Sequence, residues 1–260
     1  MTYAQAGLLG ALQGLTEFLP VSSSAHLVLA PWALGFRDPG LAFDVALHLG
    51  TLVAIVATFG RRWSEIVLGA IREPRGEQAR LFFLLAMATL PAAAAGLALE
   101  KQAEESFRNP LLIAGVLVVF GLILGASESW GSRRRQWAQI GWRVFLAVGA
   151  AQALAVIPGV SRSGATISAG LFLGLTPASA AELSFLLSAP IIAGAAAHKL
   201  GHIALADLTG PFVFGVVVSA LTGWAAVRLF LRCLGRWGLR PYVIYRLALA
   251  AGVFALYFVR

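Results

Sequence analysis

Cysteine is almost absent from this sequence, since Cys233 is the only one in 260 residues. A single thiol excludes an internal disulfide and any metal site built from several cysteines. The apolar residues around Cys233 favour a packing role for it. A Gly-x-x-x-x-Gly-Lys-(Ser/Thr) loop is also missing, which argues against a nucleotide-driven pump.

Charge is scarce as well. Charged residues make up 12% of the chain, whereas about 25% is usual in soluble domains. Hydrophobic residues reach 59%, which is more than one soluble core of this length can bury. A bilayer solvates apolar helices of about 20 residues and removes this difficulty. The composition therefore predicts an all-α, multi-pass protein surrounded by membrane lipids, with residues 1–260 forming one membrane domain.

Six apolar stretches are long enough to cross a membrane. They are residues 41–59, 81–99, 111–127, 182–199, 211–230 and 242–259. Two further apolar regions, residues 3–32 and 141–176, are interrupted near their middles by proline, serine and, in the second, glycine. We expect each interrupted region to form a broken re-entrant hairpin of two half-helices.

The two interrupted regions resemble each other. The stretch that begins at Gln13 aligns at one constant offset with the stretch that begins at Gln152. Each half, residues 1–127 and residues 141–260, then holds one broken hairpin and three spans. Because three is odd, the second half must start from the opposite side of the membrane, so the repeat is inverted. Irregular backbone survives in a membrane where it lines a cavity, which predicts a site between the two breaks.

Arginine and lysine divide unevenly between the two predicted faces, fourteen against five. The larger group is Arg61, Arg62, Arg72, Arg75, Arg80, Arg133, Arg134, Arg135, Arg143, Arg228, Arg232, Arg236, Arg240 and Arg246, and the smaller is Arg37, Lys101, Arg108, Lys199 and Arg260. Cytoplasmic loops collect basic residues, so we expect the larger group in the cytoplasm and both termini outside. This topology accounts for the net charge of +8 without a nucleic-acid partner.

The first break carries residues suited to chemistry. Gln13 and Glu17 share a helical face, and Pro20 ends that helix just beyond them. A carboxylate inside a membrane needs a partner or a cavity. After the break, Ser23 and His26 share a face, so the imidazole can activate the hydroxyl as a nucleophile. Helix capping is the alternative role for the serines.

The second break resembles an anion site. Ser161, Arg162, Ser163 and Thr166 lie at the start of a half-helix, where free N–H groups and the helix dipole favour anions, and Gly159 permits close approach. The guanidinium of Arg162 matches the geometry of a phosphate. A structural ion pair between Arg162 and Glu17 is the alternative.

The remaining histidines give weaker signals. His48 follows Phe43-Asp44-Val45-Ala46-Leu47 and lies near the expected cavity, although packing is its expected role. We assign no role to His198 and His202.

Two long motifs resemble the undecaprenyl-diphosphate phosphatases of the bacitracin-resistance type. The first is Glu or Gln, three residues, then Glu-Phe-Leu-Pro-(Val/Ile)-Ser-Ser-(Ser/Thr)-X-His, here Gln13 to His26. The second is Pro-Gly-X-Ser-Arg-Ser-X-X-Thr, here Pro158 to Thr166. The segments 43–51 and 181–187 are also similar to family segments.

The resemblance implies hydrolysis of the terminal phosphate of undecaprenyl diphosphate, a polyprenyl lipid, assisted by a divalent cation, Mg²⁺ or Ca²⁺. It implies a periplasm-facing site in the inner membrane of a bacterium and recycling of the carrier lipid for cell-wall synthesis. Glu17 would hold the metal or position His26, and Arg162 would stabilise the transition state with support from Ser161, Ser163 and Thr166. Ser23 would attack phosphorus, or His26 would attack with Ser23 donating a hydrogen bond. Gln13 stands where many relatives carry a second glutamate.

Two other assignments compete with the bacitracin-resistance type of phosphatase. Inverted repeats with broken helices are also transporter architecture, so a polyprenyl-phosphate flippase is the alternative. The other large class of membrane lipid phosphatases has Ser-Arg, five residues, then His, but Ser168 stands in the histidine position here. The sequence leaves open whether the chain acts as a monomer or as a homodimer.

Overall fold

The computed structural model describes residues 1–130, 134–200 and 208–260, so Arg133 and His202 lie outside the described residues. Within these ranges the long elements are all helices, and the only β-type pairing is an isolated bridge between Arg135 and Leu175. The helices are α1 Tyr3–Phe18, α2 Ser23–Leu34, α3 Leu41–Arg72, α4 Glu77–Ala98, α5 Glu100–Glu104, α6 Pro110–Trp130, α7 Trp142–Ala153, α8 Arg162–Phe172, α9 Pro177–Leu200, α10 Gly210–Trp237 and α11 Arg240–Val259.

All six predicted spans are confirmed as long apolar helices, namely α3, α4, α6, α9, α10 and α11. Helix α3 runs well past the predicted limit at residue 59, because the polar turn that follows is also helical and pairs Arg61 with Glu65 at 3.2 Å. Helix α9 begins at Pro177, ahead of the predicted residue 182, since proline is well tolerated in the first helical turn.

Bulky apolar side chains cover the outward faces of these helices. Phe83, Leu90, Leu122 and Ile244 are each more than half exposed. Such a surface would be unfavourable in water and is favourable against lipid tails. The chain is therefore a multi-pass membrane protein.

Both interrupted regions form the expected pairs of half-helices. Helix α1 ends at Phe18 and α2 begins at Ser23, while α7 ends in a 3₁₀ turn, Leu154–Val156, before α8 begins at Arg162. The residues just before α2 and α8 are Ser22 and Ser161, with φ of 73° and 71°. Among the described residues they are the only non-glycine residues with positive φ, a conformation that costs L-residues free energy. The same strain therefore occurs at equivalent positions of the two halves.

The first helix of each broken hairpin packs mainly against a long helix of the other half. Helix α1 lies against α10, and its counterpart α7 lies against α4. Glycines set both contacts, since a Cβ atom on Gly10 would overlap the backbone of Gly215, and one on Gly149 would overlap that of Ala88. Gly10 and Gly149 are equivalent in the alignment, so each half seats its broken hairpin on a long helix of the other half.

We expect Gly10→Ala and Gly149→Ala to lower the thermal midpoint of unfolding in detergent, because the added methyl group forces the paired helices apart. Overpacking of this kind costs about 1–3 kcal/mol. The matched control is Gly252→Ala on the exposed face of α11, where a Cβ atom meets nothing within 4 Å. That variant should hold or raise the midpoint, and equal loss in all three variants would contradict the close-contact explanation.

Candidate active site

A cavity of about 220 Å³ lies between the two helix breaks. Its polar wall combines residues from both halves: Glu17 and Ser23 from the first, and Gln152, Ser161 and Arg162 from the second. A cavity thus lies where the sequence predicts the site, between the breaks. Helices α2 and α8 both begin at the cavity wall. The positive ends of two helix dipoles therefore make this region favourable for an anion.

Glu17 is the centre of the polar network. Its Oε2 atom accepts hydrogen bonds from Ser23 Oγ at 2.6 Å and from Gln13 Nε2 at 3.1 Å. Its Oε1 atom accepts from Arg162 Nη2 at 3.0 Å. The carboxylate is 6% exposed, and these donors compensate the loss of water around it.

Arg162 is fixed from two sides. Besides Glu17, its guanidinium donates to the carbonyl oxygen of Ser184 at 2.8 Å. The ion pair with Glu17, which the sequence offered as a purely structural alternative, is present. The pair stands in the cavity wall, however, so the guanidinium is both ion-paired and placed to meet an anion.

Ser184 was not singled out from the sequence, although it lies in the similar segment 181–187. Its hydroxyl accepts from Thr166 Oγ1 at 2.7 Å, and its carbonyl holds Arg162. A serine inside an apolar helix gives no sign of this role until α8 and α9 are packed together.

The predicted pairing of Ser23 with His26 is wrong. Although the two share a helical face, His26 Nδ1 lies 2.7 Å from the carbonyl oxygen of Ser22, and Nε2 lies 2.7 Å from the hydroxyl of Tyr245 on α11. Both ring nitrogens are thereby used, and His26 does not line the cavity. The Ser23 hydroxyl donates to Glu17 instead, because the last turn of α1, which carries Glu17, lies next to the start of α2.

His48 contributes more than the packing role expected of it. Its Nε2 atom lies 3.4 Å from Glu17 Oε2, and its ring lines the cavity. Its Nδ1 atom lies 2.6 Å from the carbonyl oxygen of Asp44, which fixes the ring. The similarity of segment 43–51 to the family was the sequence signal for His48. Its partner Glu17 is evident only once α3 is packed against α1.

Four residues predicted to bind substrate hold the scaffold and do not line the cavity. Ser163 Oγ donates to the carbonyl of Leu19 at 3.0 Å, and the Gly159 N–H donates to Ser22 Oγ at 2.9 Å. Thr166 and Gln13 donate to Ser184 and Glu17 as described above. These hydrogen bonds join the two breaks and fix the residues that face the cavity.

The assignment of Arg246 to the cytoplasmic group of basic residues is wrong, because this side chain is fully buried. Its guanidinium donates to the carbonyl oxygens of Pro20 at 3.1 Å, Gly159 at 2.5 Å and Val160 at 3.3 Å. These carbonyls belong to both breaks. Sequence reasoning missed it because an arginine near the start of an apolar helix is typical of an interfacial anchor.

The donor set also bears on metal binding. Within the described ranges there is no group of three His, Cys, Asp or Glu residues that could hold a metal ion. Glu17 supplies one carboxylate, and the buried Oε1 atom of Gln13 beside it has no hydrogen-bond partner. Mg²⁺ is commonly held by one or two carboxylates plus substrate phosphates, so the Glu17 carboxylate in the cavity wall fits such a cation.

An apolar cavity of about 470 Å³ adjoins the polar one and shares His48, Val45 and Ile191 as walls. Its far end is lined by Glu100 and Arg108. Arg108 also donates to Asp38 at 2.7 Å and to Asp44 at 2.9 Å, which ties the segment before α6 to the start of α3.

We expect Arg246→Met to destabilise the protein strongly, since it leaves the carbonyls of both breaks without their donor. Unsatisfied buried groups cost about 1–3 kcal/mol each. Thermal unfolding in detergent measures the loss, and Arg228→Met is the control, because that arginine lies over the ring of Trp224 at 3.9 Å and touches neither break. Equal midpoints for Arg246→Met and wild type would refute the role of Arg246.

Comparison with known proteins shows the family to which the chain belongs. The family described as bacitracin resistance protein BacA matches residues 6–252. A protein of Moorella thermoacetica named undecaprenyl-diphosphatase is 48% identical over 260 residues, covering all of both chains. Proteins of the same name from Geobacter sulfurreducens and Pelotomaculum thermopropionicum are 47% and 46% identical, covering 100% of both chains in the first case and 98% of this chain and 97% of the relative in the second. The chain therefore belongs to the bacitracin resistance protein BacA family.

Proposed function

We propose that this chain hydrolyses undecaprenyl diphosphate to undecaprenyl phosphate and inorganic phosphate, and so recycles the carrier lipid for cell-wall synthesis. One observation carries the proposal most directly. The Ser23 hydroxyl donates to a buried carboxylate, Glu17, that is itself paired with Arg162 in the wall of a cavity. A hydroxyl with a base on one side and a phosphate-binding cation on the other is the arrangement that phosphoryl transfer needs.

The diphosphate would bind at the start of α8. The guanidinium of Arg162 and the dipoles of α2 and α8 attract it, and the low dielectric of the cavity strengthens this attraction. Ser184 prevents Arg162 from turning away, so the cation is in place before the substrate arrives.

The isoprenoid tail would leave the polar site through the apolar cavity of about 470 Å³. Apolar residues such as Leu27, Leu97 and Ile191 form its walls, and they suit a hydrocarbon chain. A cavity of this size holds the tail nearest the headgroup, while the rest of the tail lies in the bilayer.

Ser23 is the nucleophile we favour. Its Oγ attacks the terminal phosphorus, its proton passes to Glu17 Oε2, and the bond from phosphorus to the bridging oxygen breaks to release undecaprenyl phosphate. Arg162 stabilises the charge on the transferring phosphoryl group. Water then attacks the phosphoserine, the bond from phosphorus to Oγ breaks, and Glu17 returns the proton to Ser23, while both protons of the water leave on the inorganic phosphate. His26 is disfavoured as nucleophile because both its ring nitrogens have other partners.

A divalent cation, Mg²⁺ or Ca²⁺, belongs to this proposal. Glu17, which lines the cavity, would hold it together with phosphate oxygens of the substrate. When bound, the cation neutralises negative charge on the diphosphate.

The proposed location is the inner membrane of a bacterium, with the site open to the periplasm. Glu100 and Arg108, which line the apolar cavity, lie on the face that holds the smaller group of basic residues. The opposite face still holds most of the basic residues when Arg246 is left out of the count. This excess favours a cytoplasmic position for that face. Both termini are then periplasmic.

A polyprenyl-phosphate flippase is the weaker candidate. Broken helices in two related halves are common to transporters, but transport does not require a serine hydroxyl bonded to a buried carboxylate. The relatives' name also favours hydrolysis.

We expect Arg162→Ala to lower kcat for phosphate release from undecaprenyl diphosphate by at least about 100-fold, because an electrostatic stabiliser of the transition state is lost. Arg162→Lys should also fail to restore full activity, since lysine cannot bond Glu17, Ser184 and phosphate in one plane. The assay runs in detergent with and without magnesium or calcium. The control is Arg61→Ala, an exposed arginine on α3. Wild type that folds but releases no phosphate under any of these conditions would sink the proposed function.

We expect a brief acid quench during turnover to trap phosphate on Ser23. Phosphoserine survives acid whereas phosphohistidine does not, so an acid-stable label located at Ser23 by peptide mass analysis identifies the nucleophile. Ser23→Ala should lose the label and at least about 1,000-fold of the rate, as other enzymes do without their nucleophile. A label that is lost in the acid quench, but is retained in an alkaline quench and maps to His26, would overturn the assignment of Ser23.

A further inference from the structure

Gln152 is a buried amide without a partner. It lies in the last turn of α7, is 2% exposed, and neither Nε2 nor Oε1 has a hydrogen-bond partner. In the described part of the chain it is the only buried amide side chain with both polar atoms unmatched. Buried polar groups are nearly always hydrogen-bonded, so an amide left in this state needs an explanation.

Comparison of the two halves shows how the partner was lost. Gln152 aligns with Gln13, whose Nε2 donates to Glu17 Oε2 at 3.1 Å. The residue that aligns with Glu17 is Val156, which accepts no hydrogen bond through its side chain. The second half therefore keeps the amide but not the carboxylate.

The position of Gln152 supplies a partner of another kind. Its side chain lines the cavity that also contains Ser23, Glu17 and Arg162. An anion drawn to Arg162 would come within the same small space of about 220 Å³. Phosphate oxygens accept hydrogen bonds from amide N–H groups, and a phosphate hydroxyl or a bound water donates to an amide oxygen.

We propose that Gln152 is a binding residue for the diphosphate headgroup, with Nε2 donating to a phosphate oxygen and Oε1 accepting from a water bound beside it. This inference rests on the proposed function and names a contact that holds the substrate across the cavity from Glu17. The amide is left unmatched in the free protein so that the headgroup can satisfy it.

The test uses Gln152→Met, which keeps the length of the side chain and removes both polar atoms. We expect the free variant to unfold at the wild-type temperature or above it, because an unmatched buried group has been removed. We expect KM for undecaprenyl diphosphate to rise at least about ten-fold, since a hydrogen bond to a charged group is lost. Inorganic pyrophosphate should also raise the unfolding temperature of Gln152→Met by less than it raises that of the wild type.

Two further variants complete the design. Gln152→Glu places a negative charge against the diphosphate and should raise KM more than Gln152→Met does. Gln78→Met is the matched control, because the Oε1 atom of Gln78 is also unpartnered but lies in a separate surface pocket with Arg72. It should leave KM and the pyrophosphate effect at wild-type values.

Three outcomes would overturn the inference. Wild-type KM in both Gln152 variants would mean that the amide does not touch the headgroup. A lower unfolding temperature of Gln152→Met, with unchanged KM in the folded fraction, would mean that an internal water or the scaffold uses the amide. A pyrophosphate effect as large in both variants as in wild type would also contradict it. Failure of the proposed function differs from all three, since wild type itself would then release no phosphate.

Discussion

Inside a membrane, the backbone at each helix break must find hydrogen-bond partners within the protein, because lipid offers none. The two breaks meet this constraint largely through each other and through one arginine. Ser22 Oγ accepts from the N–H of Gly159, Ser163 Oγ donates to the carbonyl of Leu19, and Arg246 donates to carbonyls of both breaks. The cavity exists because these bonds hold two irregular segments together at one place, and the left-handed conformations of Ser22 and Ser161 persist for the same reason.

The charges in the cavity depend on one another in a similar way. A lone carboxylate or guanidinium in this environment would be expensive to bury, and breaking a buried pair leaves an uncompensated charge. Glu17 and Arg162 therefore fix each other, with His48 at 3.4 Å and Ser184 completing the network.

The two halves share a backbone design but divide the chemistry. The first supplies a carboxylate and a hydroxyl, while the second has Val156 and Arg162 at the aligned positions. Duplication thus provides two helix N-termini facing one cavity, and divergence of a few side chains makes one side basic towards a proton and the other attractive to an anion. Gly10 and Gly149 retain equivalent packing roles, because the scaffold must stay symmetrical where long helices seat the hairpins.

The sequence by itself determined the class of the fold, the six spans, both breaks, and the presence of Glu17, Ser23 and Arg162 near one site, because hydropathy, proline and the repeated motif are local signals. Tertiary structure decided which of these residues touch. Helical periodicity predicted that His26 lies beside Ser23. In the packed structure, however, His26 bonds to Tyr245 of α11, and Ser23 bonds to Glu17. Tertiary structure likewise brought in His48, Ser184 and Arg246 from distant helices. Spacing along one helix reports a shared face, whereas hydrogen bonds between helices depend on how those faces are packed, which no local pattern encodes.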